Sequence, residues 1–173
     1  MSILCAWLLA DLISGLVHWW EDRAIRGSSR FKFINQVRED NERHHQTPGY
    51  FLRLTWWENV NSTLPYVWAA AGLIWLLGGP TLIWLALWFS GWGNLVHRFA
   101  HEPPSRLPRL IIMLQKVGIF QSNKHHRLHH YKEGSLVGRE ESDTNFCAMT
   151  NWLNPLIHCI IRLFLTVENY LKN

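Results

Sequence analysis

The sequence predicts an all-α integral membrane protein with about three transmembrane helices, interfacial helices and a histidine-rich cap on the cytosolic side. Three observations favour this fold class. The 173 residues are 48% hydrophobic and only 17% charged, below the ~25% charged residues of an ordinary soluble domain. No Asp, Glu, Lys or Arg occurs in residues 59–97. All but one of the 10 histidines lie at or just beyond the ends of the predicted spans. We expect residues 1–173 to form a single domain.

The first predicted span covers residues 3–20, with Asp11 as its only charged residue. It has no basic segment before it and no small-residue cleavage pattern after it, so we interpret it as a span and not as a removable signal peptide. An acidic residue inside a span is costly and therefore indicates a function.

Residues 59–97 are predicted to form two more spans. Gly78, Gly79 and Pro80 in the middle of this stretch are a turn signal. The two apolar segments of about 17 residues on either side would form a helical hairpin through a bilayer. Residues 107–120 and 153–165 are shorter and carry basic residues, which favours interfacial helices.

The charged residues are concentrated in residues 21–58 and 98–150, which contain nearly all of the 17 basic residues. The predicted topology places both blocks on one face, and the positive-inside rule makes that face cytosolic. The net charge of +4 is then explained by topology and by contact with anionic lipids. No nucleic-acid partner is expected, because no basic helix stands apart from the spans. Three widely spaced cysteines exclude a disulfide framework or a CxxC zinc site.

The histidine spacing predicts a metal centre. Residues i and i+4 of a helix share a face, so His97 and His101 can bind one ion, and the run HHRLHH offers a similar face. Eight or nine imidazoles with few carboxylates favour borderline transition metals and are too many for one zinc with its four ligands. His18 alone, or the neighbouring His44 and His45 alone, would more often be hydrogen-bonded surface residues. His158 is interpreted as a packing residue.

Five motifs carry a family resemblance: HWWED (18–22), HHQTP (44–48), NLVHRFAH (94–101), KHHRLHH (124–130) and NFCAMTNWLN (145–154). In this order they resemble the plasmanylethanolamine desaturases, membrane lipid desaturases of the Kua/CarF type that are related to the chloroplast trans-3 palmitate desaturase. The resemblance extends over residues 9–154.

This resemblance implies an O2-dependent di-iron enzyme that introduces a double bond into the alkyl ether chain of a plasmanyl phospholipid, giving the vinyl ether of a plasmalogen. The metal ligands that it implies are His18, His44, His45, His97, His101, His126, His129 and His130. It also gives Asp22 and His125 roles next to these ligands or among them. The position of Asp11 inside the first span suggests the same kind of role for Asp11.

A separate electron donor, such as cytochrome b5 or ferredoxin, is expected because the chain has no Gly-rich dinucleotide fingerprint. Arg98, Lys124 and Arg127 are expected to bind the lipid headgroup or to dock the donor. The expected location is an endoplasmic-reticulum-type membrane if the source is eukaryotic, and a cytoplasmic or plastid membrane otherwise.

Other functions are compatible with the same residues. A trans-3 acyl-lipid desaturase or a lipid hydroxylase would use the same iron site. A metal- or haem-binding membrane scaffold would use the histidines without catalysis, and an inactive paralogue would keep only the fold. Bound metal content separates an oxidase, with about two irons per chain, from a scaffold.

Overall fold

The computed structural model describes residues 2–24, 29–130 and 145–172, and these residues form helices joined by turns, with a non-helical segment before the last helix. The predicted all-α class is confirmed, since no strand occurs among them. A π-helical turn, Trp20–Ala24, follows the first helix, and two 3-10 turns, Pro48–Arg53 and Pro104–Arg106, link later ones. The α-helices are α1 (Ser2–Trp19), α2 (Lys32–Gln46), α3 (Trp56–Asn61), α4 (Leu64–Leu76), α5 (Thr81–Ser90), α6 (Gly93–His101), α7 (Arg109–Lys116), α8 (Asn123–His130) and α9 (Asn154–Lys172).

The helices α4 and α5 form the predicted hairpin, and α5 also packs against α1. Gly78 turns the chain with a φ of 70°, a left-handed conformation that glycine adopts without steric cost. The arms are joined by Trp68 and Trp88, whose rings are stacked with centroids 5.5 Å apart. The Trp68 indole N–H also donates to the Trp88 carbonyl at 3.0 Å.

The three predicted spans are not confirmed. Among the described residues, one helical stretch, Ile3–Asp22, is long and apolar enough to cross a membrane by length and composition. The hairpin helices are shorter than predicted, with 13 residues in α4 and 10 in α5. At a rise of 1.5 Å per residue they measure roughly 20 and 15 Å, whereas a bilayer core is about 30 Å thick.

Both segments expected to be interfacial are helical. The helix α7 has 8 residues, and α9, with 19 residues, continues well beyond residue 165. Ile157 and Ile161 of α9 pack against Phe146 and Cys147 in a buried cluster. The rest of α9 exposes an apolar surface.

The segment before α9 is buried although it is not helical. Phe146, Cys147, Ala148, Met149 and Thr150 are at most 7% exposed. The segment runs alongside α1 and is hydrogen-bonded to that helix, and the last of these bonds is made to a histidine.

Candidate metal centre

The structure gathers all eight histidines that were expected to be ligands, together with Asp22, into one cluster. Four parts of the chain supply them: the end of α1 with its π turn, the last turn of α2, α6 and α8. The helix α2 ends just before Pro48, and α6 ends before Pro103 and Pro104, because proline disfavours helical continuation. His44, His45 and His101 therefore lie at the C-terminal ends of their helices, and His97 lies one turn before His101.

The cluster divides into two groups, and within each group the candidate ligand atoms lie within 4.8 Å of one another. We call the groups site A and site B. Site A consists of His44, His97, His101, His126 and His130. Site B consists of His18, Asp22, His45 and His129.

In site A, four imidazole Nε2 atoms converge. The Nε2 of His126 lies 2.9 Å from that of His97, 2.7 Å from that of His101 and 2.9 Å from that of His130. A neutral imidazole carries only one N–H, so four rings meeting at their Nε2 atoms cannot all be satisfied by each other. Nitrogens bound to one ion at about 2.0–2.1 Å lie roughly 3 Å apart. The observed spacing fits a shared metal ion.

His44 completes site A. Its ring centroid lies 4.7 Å from those of His101 and His130. Both of its ring nitrogens are buried and neither has a hydrogen-bond partner. Leaving such a group unsatisfied costs about 1–3 kcal/mol, and a metal ion bound to one of these nitrogens would offset that cost.

Burial keeps the site A imidazoles neutral. Desolvation lowers the pKa of His101 to about 3. Desolvation and repulsion from the neighbouring histidines also hold the pKa values of His44, His126 and His130 far below the usual value. Metal binding needs a deprotonated imidazole nitrogen, so these rings are ready to bind metal at neutral pH.

Site B is built around the Asp22 carboxylate. Oδ1 lies 3.0 Å from Nε2 of His45, and Oδ2 lies 3.2 Å from Nε2 of His129 and 3.9 Å from Nε2 of His18. The Asn41 amide donates to Oδ1 at 2.5 Å. Asp22 stands in the π-helical turn, a feature found frequently at functional sites. It lies among the candidate ligands of site B.

His18 is oriented by the backbone. Its Nδ1 lies 3.1 Å from the carbonyl oxygen of Phe146. A carbonyl only accepts, so Nδ1 carries the proton and Nε2 presents its lone pair to site B. This Nε2 is buried without a hydrogen-bond partner. Metal-binding histidines commonly donate their second N–H to a carbonyl in this way.

The two sites adjoin. The ring centroids of His18 and His97 are 5.2 Å apart, and those of His45 and His130 are 4.8 Å apart. An imidazole-rich donor set with one carboxylate suits borderline transition metals. The nine side chains thus fit two neighbouring ions, and no single four-ligand ion would use them all.

Two phenylalanines cover the cluster. Phe51 is stacked on His97 of site A with centroids 5.1 Å apart, and Phe146 packs edge-on against His129 of site B at 5.2 Å. Neither phenylalanine was expected from the sequence, because isolated aromatic residues carry no spacing signal. Asn41 was also missed, because a single asparagine on a polar helix carries no spacing signal either.

Arg98 does not fit the docking role expected from the sequence. It is only 6% exposed. Its guanidinium donates to the carbonyls of Phe51, Leu52 and Leu54 at 2.6–3.2 Å. Arg98 therefore holds the turn that carries Phe51.

Other predicted residues lie outside both sites. Lys124, His125 and Arg127 are exposed on α8, and Nδ1 of His125 is hydrogen-bonded to Ser122 Oγ at 2.9 Å. Asp11 is buried, but its carboxylate accepts hydrogen bonds from Thr150. His158 is half-buried on α9 and belongs to neither site.

Curated relatives with similar sequences are named as lipid-modifying enzymes. A probable fatty acid desaturase of Acanthamoeba polyphaga mimivirus is 26% identical over 99% of this chain and 82% of its own length. Fatty acid desaturase 4-like 2, chloroplastic, of Arabidopsis thaliana is 26% identical over 87% of this chain. Plasmanylethanolamine desaturase 1 of Mus musculus is 29% identical over 89%. The chain spans only 52% and 58% of the length of the Arabidopsis and mouse relatives.

No solved structure matches the chain. The lipid desaturase domain family matches residues 7–173. Because this match covers almost the whole sequence, the chain belongs to the lipid desaturase family.

Proposed function

We propose that this protein is an O2-dependent di-iron desaturase of membrane lipids that converts the alkyl ether chain of a plasmanyl phospholipid into a vinyl ether. The observation that carries the proposal is the pair of adjacent sites A and B in a member of the lipid desaturase family. The mouse relative, named a plasmanylethanolamine desaturase, supports the choice of substrate. In the reaction two vicinal hydrogens leave the alkyl chain, and O2 is reduced to two waters with two further electrons and two protons.

The need for iron follows from the bond that is broken. Side-chain acid–base chemistry does not remove hydrogen from an unactivated alkyl chain, whereas bound iron with O2 supplies that oxidising power. The protein's own task is to hold the ions and to keep the site dry. His126 and His129 are only 1% and 0% exposed, so the centre of the cluster is shielded from solvent. Phe51 and Phe146 then serve as walls that exclude water.

We place α1 and the α4–α5 hairpin in the membrane: α1 is long enough to cross it, and the shorter hairpin would enter it from the side of the histidines. Only 28% of the most apolar window of Ile3–Asp22 is buried within the protein. Leu76 and Leu77 at the tip of the hairpin are 73% and 76% exposed. Large exposed apolar patches mark membrane or protein contacts. Because the tip of the hairpin has no charged residues, we assign it to contact with lipid. Both α1 and α5 run towards the histidines and expose apolar side chains, so the substrate chain would lie along their outer surface.

The electrons would come from a separate acidic carrier such as cytochrome b5 or ferredoxin. The helix α8 turns His126, His129 and His130 inwards and exposes Lys124 and Arg127 outwards. A positive surface one helix away from the metals would attract an acidic donor. The same cations suit contact with an anionic lipid headgroup at the membrane surface.

A second substrate class is favoured by the Arabidopsis relatives. Fatty acid desaturase 4, chloroplastic, is 25% identical to this chain, and fatty acid desaturase 4-like 2, chloroplastic, is 26% identical. Their names favour an acyl chain as substrate, processed at the same sites A and B. The reaction type is then unchanged, and the double bond forms in a fatty acyl group.

Lipid mass spectrometry of plasmalogen-deficient cells tests both alternatives. We expect acid-labile vinyl ethers with the unmodified chain and none with His126→Ala, which removes the central imidazole of site A. His158→Ala is the matched control, because His158 belongs to neither site. New trans double bonds in acyl chains would favour the second substrate class. Stable expression with no new lipid would overturn the desaturase and favour a metal-binding scaffold.

A further inference from the structure

Residues 146–150 lie along α1 in a regular register. Successive contacts pair Asp11 with Thr150, Ser14 with Ala148, Gly15 with Cys147 and His18 with Phe146. Because the numbers rise along α1 while they fall along the segment, the two run antiparallel. The first of these pairs contains the buried carboxylate of Asp11, and the last contains His18, a candidate ligand of site B.

Asp11 anchors one end of this register with both carboxylate oxygens. Oδ1 accepts the Thr150 backbone N–H at 2.8 Å, and Oδ2 accepts the Thr150 hydroxyl at 2.5 Å. Asp11 is 0% exposed and belongs to neither metal site. Burying an acid in an apolar helix is costly, and the two hydrogen bonds from Thr150 offset part of that cost.

Gly15 lets the segment approach α1 closely. A Cβ at this position would lie 3.3 Å from the Cys147 nitrogen and would collide with the Ile157 side chain. On its other side the segment is held by Gln121, whose backbone N–H donates to the Met149 carbonyl at 2.7 Å. The Gln121 amide also donates to the Cys147 carbonyl at 2.5 Å. The segment is therefore fixed from two directions.

The other end of the register orients a metal ligand. The Phe146 carbonyl accepts the N–H of His18 Nδ1 at 3.1 Å, which directs Nε2 of His18 towards site B. Only three residues separate Phe146 from Thr150. A shift of Thr150 along α1 would thus move the carbonyl away from His18 and release the ring.

We propose that Asp11 and Thr150 are positioning residues for site B: their hydrogen bonds lock residues 146–150 so that the Phe146 carbonyl holds His18 in its ligand orientation. The inference rests on the proposed metal-binding function of sites A and B. It gives Asp11, the acidic residue inside α1, the role of anchoring residues 146–150 instead of binding an ion directly. Asp11 and Thr150 act on site B through His18 and leave site A unchanged.

Titration of the metal-free protein with Fe2+ under anaerobic conditions tests this role without measuring turnover. The wild-type chain should show two binding events, and His45→Ala should remove the one that belongs to site B. Thr150→Val deletes the hydroxyl and should weaken that same event, by at most the about 10–100-fold that direct partners of metal ligands contribute. Thr150→Ser keeps the hydroxyl and should restore it. Ser90→Ala, which deletes another buried hydroxyl on α5, is the control and should change neither event.

Asp11→Asn provides a second variant of similar size, and it should weaken the site B event because one of the two acceptor oxygens is lost. Thermal unfolding of each metal-free variant identifies any general loss of fold. Equal weakening of both events, or no weakening by Thr150→Val and Asp11→Asn, would overturn the positioning role alone. A wild-type chain that binds no pair of ions would overturn the proposed function as well.

Discussion

His44 and His45 are neighbours on α2, yet their imidazoles belong to different metal sites. His44 lies in site A and His45 in site B, with ring centroids 5.7 Å apart and ring planes 78° apart. Consecutive residues of a helix point about 100° apart, so one helix turn can supply both sites only if it lies on the boundary between them. His129 and His130 on α8 are divided in the same way. The helices α2 and α8 would therefore each contribute ligands to both ions.

This division predicts that His44→Ala and His45→Ala each cost one ion, and not the same one. Both variants should fall from about two irons per chain to about one, because each removes a ligand from only one group. Elemental analysis of the purified proteins measures the loss, and the spectrum of the remaining iron identifies the site. His125→Ala, on the exposed side of α8, should keep both ions. Complete loss of iron from both folded variants would contradict two separable sites.

The gathering of the histidines was predictable from the sequence because their spacing is local. The positions of His97 and His101 on one helix face are fixed by the helix repeat, and both lie in site A. The assignment of each histidine to site A or site B was not predictable. It depends on how four helical elements are rotated against each other and on the π turn that carries Asp22.

The roles of the buried charges also needed the structure. Arg98 finds its carbonyl partner Phe51 at a separation of 47 residues, and Asp11 finds Thr150 at a separation of 139. No local pattern encodes such pairs.

The lengths of the hairpin helices were overestimated because an apolar run shows where a helix can form but not where it ends. In the structure α4 and α5 end close to Gly78 and Gly91.

Arg98→Met should destabilise the protein without removing a metal ligand. The change leaves the carbonyls of Phe51, Leu52 and Leu54 without their charged donor. A single hydrogen bond to a charged group contributes about 1.5–3 kcal/mol, so the loss of all three should lower the free energy of unfolding by at least about that amount. Thermal unfolding in detergent measures the effect. Arg127→Met, at an exposed position on α8, should change stability by less than about 0.5 kcal/mol, and equal stability of the two variants would refute the anchoring role.

The metal-free protein should lose stability as the pH falls below about 6.5, the pKa of an unfolded histidine. In the folded protein burial lowers the pKa of His101 to about 3, and His44 and His126 are also shifted down. Between these values the unfolded chain binds protons that the folded chain excludes, so stability decreases on acidification and is complete at neutral pH. Thermal unfolding across this range measures the slope.

His101→Gln should reduce that slope because one buried imidazole is gone, whereas His125→Gln at an exposed position should leave it unchanged. The proteins must be freed of metal beforehand, since a bound ion competes with protons for the same nitrogens. An unfolding temperature that does not change between neutral and acidic pH would show that these imidazoles are not buried in the neutral form.

Reversing the charges on the outer side of α8 should slow reduction by an acidic electron donor. Lys124 and Arg127 are exposed there, while His126, His129 and His130 on the same helix turn inwards. Lys124→Glu with Arg127→Glu should lower the rate of donor oxidation by at least about tenfold at low salt, because electrostatic steering raises association rates by 10–10³. The rate should also lose its dependence on ionic strength, while the iron content stays unchanged. Arg43→Glu, an exposed change on α2, should have little effect, and equal slowing by that variant would place the docking surface elsewhere.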